Sequence, residues 1–404
     1  MKISRLNGSF KNLTYTSIAH FVNDGVFFSV PLIADILATR AEVTPSMLTT
    51  MFLVFYGSSS VLSMYVGRIA DRTGKHGPLI GVGTMMMSLA MIGYFVTLSY
   101  TAGMLFVFSM LTSAFLAGFG SAFYHPLGAS ILQSSFNDDQ RGRVLGINGA
   151  VGSVGRALYP SLFFFAAIFL TTYGSLASLG LIGIVISAAL LYGFKSEPEM
   201  SQQSKPKQMT RPRDALTVGV VMLTTVSFVR SVATSGIISW IPIYISTEKG
   251  LGITGALGLA LTIMYGTAIV GQPILGWFLD RFDRRVILAI TSAGAGVTIF
   301  GYLLIRGVFF ELVVLALFGL FTFAAFPLLF SLSSIYVARE SSSLSNALIW
   351  GLGTGGGNVV GPLITGMIVL GNYSRLGLAF EVMAAIAVLS AIVAVLLPKA
   401  GLKN

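Results

Sequence analysis

Gly67-Arg68-Ile69-Ala70-Asp71-Arg72-Thr73-Gly74-Lys75 returns in relaxed form 209 residues later, as Gly276-Trp277-Phe278-Leu279-Asp280-Arg281-Phe282-Asp283-Arg284-Arg285. Each copy is a short polar stretch between two long apolar ones, as in a loop joining membrane helices. Gly67 and Gly276 are expected to let neighbouring helices approach closely. Asp71 and Asp280 can accept from a helix N-terminus or a basic partner, and the Arg/Lys cluster belongs where cytoplasmic charge is favoured. One such loop could be a topology signal alone. Two at equivalent places indicate an internal repeat.

Composition agrees. Of 404 residues, 54% are hydrophobic and only 10% are Asp, Glu, Lys or Arg, with a mean hydropathy of +0.84. A soluble domain carries about 25% charged residues, so a soluble enzyme, a nucleic-acid binder and a disordered scaffold are excluded. Twelve apolar stretches long enough to span a bilayer are predicted, over roughly 13–37, 46–67, 78–99, 103–132, 143–170, 175–194, 214–245, 254–278, 286–305, 310–332, 344–370 and 376–397. Long apolar runs, not alternating ~10-residue segments, make the protein all-helical and not a barrel. The first stretch contains Asn23-Asp24 and no small-residue cleavage site, so it is expected to be a resident span. With no cysteine there is no disulfide and no thiolate chemistry.

The 25 Lys and Arg residues are distributed unevenly: 19 fall on the side of the N-terminus, 4 (Arg40, Lys249, Arg306, Arg375) on the other, and Arg156 and Arg230 lie within spans. Both termini are therefore expected in the cytoplasm, and the net charge of +10 is an insertion signal, not a nucleic-acid footprint. The polar, Pro- and Ser-containing stretch from Lys195 to Asp214 reads as a flexible linker. It divides a six-helix bundle at 1–194 from another at 214–404, with the linker at 195–213. The stretch from Ala122-Phe123 to Pro160 is similar to that from Ala325-Phe326 to Pro362, and Pro31 and Pro242 occupy like places. Parallel repeats of this kind put a substrate site near the midplane between the halves.

On these motifs the chain resembles the major facilitator superfamily over its whole length. Gly-xxx-Asp-Arg-x-Gly-Lys at 67–75 is that superfamily's signature between the second and third helices, with His76 where a second basic residue is usual. The resemblance implies gating roles for Gly67, Asp71, Arg72, Gly276, Asp280 and Arg281, with Asp71 holding the second span near the eleventh. A narrower resemblance is to the fosmidomycin-resistance-like branch. It is carried by His20-Phe-Val-Asn23-Asp24-Gly25, Phe123-Tyr-His125-Pro126-Leu-Gly128, Gly149-Ala-Val-Gly152-Ser-Val-Gly155, Arg230-Ser231 and Trp240-Ile-Pro242-Ile-Tyr244. Tyr124 and Arg156 depart from that branch's pattern.

An ionisable side chain at mid-bilayer costs about 2.5–3.5 kcal/mol on insertion scales and so faces a cavity or a partner. Asp24, Arg156 and Arg230 qualify by depth. His20 and Asp24, four apart, share a helix face, where they can exchange a proton, hydrogen-bond a neighbouring helix, or form part of a metal site. One His and one Asp are too few ligands, and the other candidate, His125, is on another helix, so no metal and no cofactor are expected. His125, beside the kink-forming Pro126, is a further candidate relay or a partner for the carbonyl the kink frees. Asn148, Gly152 and Arg156 form one stripe, with glycine leaving room for the guanidinium or a ligand. Arg156 and Arg230 set against Asp24 leave one surplus positive charge for an anion, unless one arginine pairs with Asp24 and carbonyls cap the other. Tyr15, Tyr265, Trp350 and Asn358 are candidate substrate-lining residues, with packing the alternative for each.

The expected function is secondary transport of a small organic anion, coupled to protons, in the plasma membrane, by a monomer. A proton antiporter exporting drugs is the rival reading. An intramembrane Ser/His hydrolase is disfavoured by the missing Gly-x-Ser-x-Gly elbow, a sensor by the missing output domain, and ATP drive by the missing phosphate loop.

Overall fold

The computed structural model describes residues 2–195, 216–323, 326–336, 345 and 348–399. The linker beyond Lys195, Arg339 and the Ala325 end of the repeat lie outside these residues. In chain order the helices are α1 (Lys2–Ala38), α2 (Pro45–Thr73), α3 (His76–Tyr100), α4 (Gly103–Ser121), α5 (Tyr124–Ser135), α6 (Asp138–Phe169) and α7 (Thr172–Lys195). Then come α8 (Val218–Thr247), α9 (Gly255–Leu279), α10 (Arg284–Leu304), α11 (Val308–Phe323) and α12 (Phe326–Tyr336). A π-helical stretch over Leu348–Gly355 leads into α13 (Gly356–Val369), and a 3-10 turn at Tyr373–Arg375 into α14 (Leu376–Val395). Among the described residues eleven helical stretches are long and apolar enough to cross a membrane, counting α4 with α5 and the π-stretch with α13, and the shorter α11 marks the twelfth. Their outward faces carry bare Val185, Phe169, Val297, Phe309 and Ile392, apolar surface that only lipid can cover.

The chain divides into two compact units. One gathers the described residues up to Leu37, those from Val54 to the end of α7, and Thr254–Thr262; the other gathers Ala38–Leu53, the described residues from there to Ile253, and those from Ile263 onward. Within each, the same partners recur. α3 packs along α4 and α7 in the first unit, and its repeat mate α10 packs along α11 and α14 in the second, where α8 also lies against α13 and α14.

Two backbone features have a chemical cause. The fourth span breaks at Ala122-Phe123, four and three residues before Pro126. Proline has no N–H to give to the carbonyl four residues back and its ring crowds that carbonyl. The chain tightens there instead: Ala122 N–H bonds Phe119 O at 3.1 Å and Phe123 N–H bonds Gly120 O at 3.3 Å. The break makes Tyr124-His125-Pro126 the first turn of a new helix, which a proline tolerates. The eleventh span is π-helical where its glycines begin. A Cβ at Gly357 would stand 2.5 Å from Phe228 O, and one at Gly361 2.3 Å from Val232 O. These glycines bring α13 onto α8, close enough for Ser235 Oγ to donate to Gly357 O (3.2 Å) and Trp240 Nε1 to Pro362 O (3.3 Å).

Candidate functional site

The first unit builds a polar cluster from α1, α5 and α6. His20 Nε2 stands 3.4 Å from Asp24 Oδ1, one helical turn along, and His125 Nε2 stands 3.8 Å from the same oxygen. The break at Ala122-Phe123 starts the helix that carries His125 to this point. His20 Nδ1 faces the carbonyl oxygen of Asn148 at 2.9 Å and its Oδ1 at 3.0 Å. Tyr124 OH donates to that Oδ1 at 2.8 Å, and Asn148 Nδ2 reaches Ser17 Oγ at 3.3 Å and Thr16 Oγ1 at 3.4 Å. The imidazole is stacked on Tyr124, with ring centroids 4.4 Å apart. Asn23 Nδ2 donates to Asp24 Oδ1 at 3.1 Å.

This network orients the His20 ring. A backbone carbonyl only accepts, so the Nδ1 aimed at Asn148 O carries a hydrogen. A neutral ring would then point the Nε2 lone pair at the Asp24 carboxylate. A positive charge between them, whether a proton or another cation, removes that repulsion.

The Asn148-Gly152-Arg156 stripe exists, but its glycine has a different purpose from the expected one. A Cβ at Gly152 would stand 2.4 Å from His20 Cδ2 and Nε2, so the space is filled by the imidazole and not by a guanidinium or ligand. Arg156 donates through Nη2 to Ser153 Oγ at 2.8 Å and lies 4.8 Å over the ring of Phe28.

Arg230 belongs to the second unit. It is buried, and its Nη2 donates to Phe321 O (2.9 Å) and Thr322 O (3.0 Å). Both are carbonyls among the last described residues of α11, and each accepts from the guanidinium. Nη1 has no hydrogen-bond partner among the described residues, and no carboxylate among them pairs with this guanidinium.

The other candidates are placed in packing or at helix ends. Tyr15 meets Phe194 edge-on with centroids 5.4 Å apart, Tyr265 meets Phe323 at 5.5 Å, and Trp350 packs against the apolar core of α8, α10 and α12. Asn358 is half-buried on α13. Asp71 is 81% exposed, and its carboxylate stands 3.6 Å from Nε2 of the buried His76. Arg72 and Asp280 are exposed, and Arg281 lies 4.0 Å over the Trp277 ring. Close helix approach does not explain Gly67 or Gly276: among the described residues nothing lies within 4 Å of a Cβ at either.

Two charge pairs escape a sequence reading. Asp283 caps α10, accepting from Arg285 N (2.9 Å) and Nε (3.0 Å), and the Arg285 hydrogen bonds hold its carboxyl below the usual carboxylate range. Lys249, with its side chain 1% exposed, donates to Tyr302 O (2.8 Å) and Ile305 O (2.7 Å) and stands 3.3 Å from Glu311 Oε1. The only sequence signal for that second pair was a basic residue on the basic-poor side of the protein.

The comparisons place this architecture. The sequence matches the Major Facilitator Superfamily profile over residues 16–349 and again over 255–403. No curated protein matches the chain. A bacterial homologue of the human lysosomal transporter Spinster, inward-facing and unoccupied, has a TM-score of 0.74 at 14% identity, covering 96% of each chain. A structure of such a homologue in the occupied state has a TM-score of 0.74 at 13% identity, covering 99% of this chain and 98% of the other. A mutant of the nucleoside transporter NupG also scores 0.74 at 13% identity, over 96% of this chain and 100% of its own. Likeness at such identities is likeness of fold. The profile match covers most of the sequence, and the chain belongs to the major facilitator superfamily, as a membrane transporter and not an enzyme.

Proposed function

We propose that the protein carries a small organic anion across the plasma membrane by alternating access, coupled to protons, as a monomer with both termini in the cytoplasm. Arg230 is the observation that carries the anion. A buried guanidinium is tolerable only when its donors are met and its charge is offset. Here two carbonyls of α11 meet one nitrogen and no carboxylate among the described residues offsets the charge. The spare Nη1 suits one oxygen of a carboxylate, phosphate or phosphonate. Arg156 is assigned a weaker, supporting role, because its guanidinium already has Ser153 and Phe28.

Proton coupling is assigned to His20, Asp24 and His125. Asp24 and His20 need one positive charge between them, and a proton that leaves and returns there changes the charge of α1. The 19-to-4 distribution of basic residues supports the orientation, with a linker at 195–213 joining bundles at 1–194 and 214–404. Likeness to the fosmidomycin-resistance-like branch favours export by proton exchange over uptake, and the direction of pH-driven flux in proteoliposomes separates the two.

A thermal-shift screen of carboxylates, phosphates and phosphonates on purified protein tests the anion. A ligand at 100 times its Kd adds about 2.7 kcal/mol to the state it binds. Stabilisation of the wild type that disappears in Arg230→Ala is expected. Anions that stabilise both proteins equally would overturn the assignment.

A further inference from the structure

We propose that His20, Asp24 and His125 form a binding site for a divalent first-row transition-metal ion. This goes beyond the transport reading, sharing its coupling residues but resting on their geometry alone.

The first argument is separation. One ring nitrogen each of His20 and His125 and a carboxylate oxygen of Asp24 all lie within 4.8 Å of one another, and the two Nε2 atoms stand 3.4 and 3.8 Å from Asp24 Oδ1. Charge-assisted hydrogen bonds are shorter, about 2.7–2.9 Å. Nitrogen and oxygen ligands bonded at 2.0–2.2 Å to one tetrahedral ion stand about 3.3–3.6 Å apart. The His20–Asp24 edge is already of that length, and a small swing of the His125 ring closes the third corner. The His125 side chain is 60% exposed, with its ring edge-on to His20 at 5.5 Å and to Tyr124 at 5.4 Å between centroids.

The second argument is the tautomer. A metal-bound histidine donates its other ring N–H to a carbonyl or carboxylate, which orients the ring and frees the ligating lone pair. His20 does this: Nδ1 faces Asn148 O at 2.9 Å, which leaves Nε2, toward Asp24 and His125, to take a proton or a metal ion. Tyr124, stacked on the imidazole and bonded to Asn148 Oδ1, holds the arrangement. Gly152 leaves the space in which the ring sits.

The ligand chemistry sets the ion class. Two imidazoles and one carboxylate, in a chain without cysteine, suit zinc, cobalt, nickel or ferrous iron over magnesium or calcium. Three protein ligands leave a position open on the exposed His125 side for water or an anion.

Zinc competition against a chromophoric chelator, on purified untagged protein, tests the site. The chain has only three histidines, so His76 supplies a clean control. One zinc ion per chain is expected. His20→Ala, Asp24→Asn and His125→Ala should each weaken binding at least tenfold, and His76→Ala should leave it unchanged. If His20→Ala or Asp24→Asn does not fold, the exposed His125 decides: His125→Asp keeps an oxygen ligand and should bind more tightly than His125→Leu. Absence of saturable zinc binding to the wild type, or binding that survives His125→Leu, overturns the site. Neither result bears on proton coupling, which is read by pH-driven transport in Asp24→Asn.

Discussion

Gly152→Ala is the sharpest perturbation the cluster permits, because it adds one methyl group and removes no polar atom. That methyl would lie 2.4 Å from His20 Cδ2 and Nε2 and 2.6 Å from Cε1. Carbon atoms in ordinary contact stand about 3.5–4.0 Å apart, so the ring must retreat by roughly 1 Å or more. A shift of that size breaks the 2.9 Å contact to Asn148 O and disturbs the stacking on Tyr124. Overpacking costs about 1–3 kcal/mol, and a buried group left without its hydrogen bond costs about 1–3 kcal/mol more. A loss of about 2–6 kcal/mol follows. Gly149 on the same helix provides the control, since nothing lies within 4 Å of a Cβ there. Gly149→Ala removes backbone freedom from the unfolded chain alone and should stabilise by about 0.5–1 kcal/mol. The two substitutions thus have opposite signs. Thermal unfolding of the purified variants measures the stability difference, and pH-driven uptake into proteoliposomes measures coupling, which Gly152→Ala should lose and Gly149→Ala should keep. Equal behaviour of the two in both assays would refute the placement of His20 against α6.

Four further outcomes follow from other sites. Arg230→Ala should abolish anion binding, and Arg230→Lys should restore little of it, because a point charge cannot meet two carbonyls of α11 and a ligand as the planar fork does; equilibrium binding of a hit from the anion screen reads both. Lys249→Met strands Glu311 and two carbonyls and should cost about 3–5 kcal/mol, while Lys249→Met with Glu311→Leu should recover most of it, as a double-mutant cycle in thermal denaturation would show. Asp283 has its folded carboxyl lowered by Arg285, so its contribution is complete above the unfolded value of about 3.9 and is lost as pH falls through the folded value. Asp283→Ala should therefore cost about 1 kcal/mol at neutral pH, the size of a helix cap, and that deficit should vanish in acid-denaturation curves below the carboxylate range. Asp71→Asn, with an exposed carboxylate facing His76, should slow transport while leaving the amount of folded protein and the binding affinity near those of the wild type.

How far the sequence reaches depends on whether a feature is local. The helices, the repeat and the shared face of His20 and Asp24 follow from spacing along one chain segment, and the structure has all of them. His125 was visible as a titratable group beside a proline. Its arrival at Asp24 depends on how the chain re-enters a helix after Phe123, which no periodicity encodes. Glycine is the hardest residue to read. Gly152 and Gly67 look equivalent in sequence, yet a ring occupies the space beside one and the other has no close neighbour among the described residues. Lys249 and Glu311 lie 62 residues apart, so only tertiary packing shows that a lysine read as a topology marker is half of a buried pair.

The two halves use the same backbone devices for opposite chemistry. In each, a glycine-bearing span lies against the first helix of its repeat: Gly155 of α6 at Phe21 O of α1, and Gly357 of α13 at Phe228 O of α8. In the first half a span carrying Phe-x-His-Pro also ends one helix and starts another, at Ala122-Phe123. The halves diverge in the polar groups they hold. In the first half the new helix starts at Tyr124 and delivers an imidazole to a carboxylate, a site for a cation. In the second half Phe321 O and Thr322 O hold one nitrogen of Arg230, whose remaining donor is the site proposed for an anion. A carrier with its cation chemistry in one repeat and its anion chemistry in the other can lose either by single substitution without losing both. For that reason Asp24→Asn and Arg230→Ala are expected to separate: the first should keep anion binding and exchange but lose pH-driven accumulation, and the second should lose binding itself. Loss of binding in both variants would show that the two repeats do not divide the chemistry in this way.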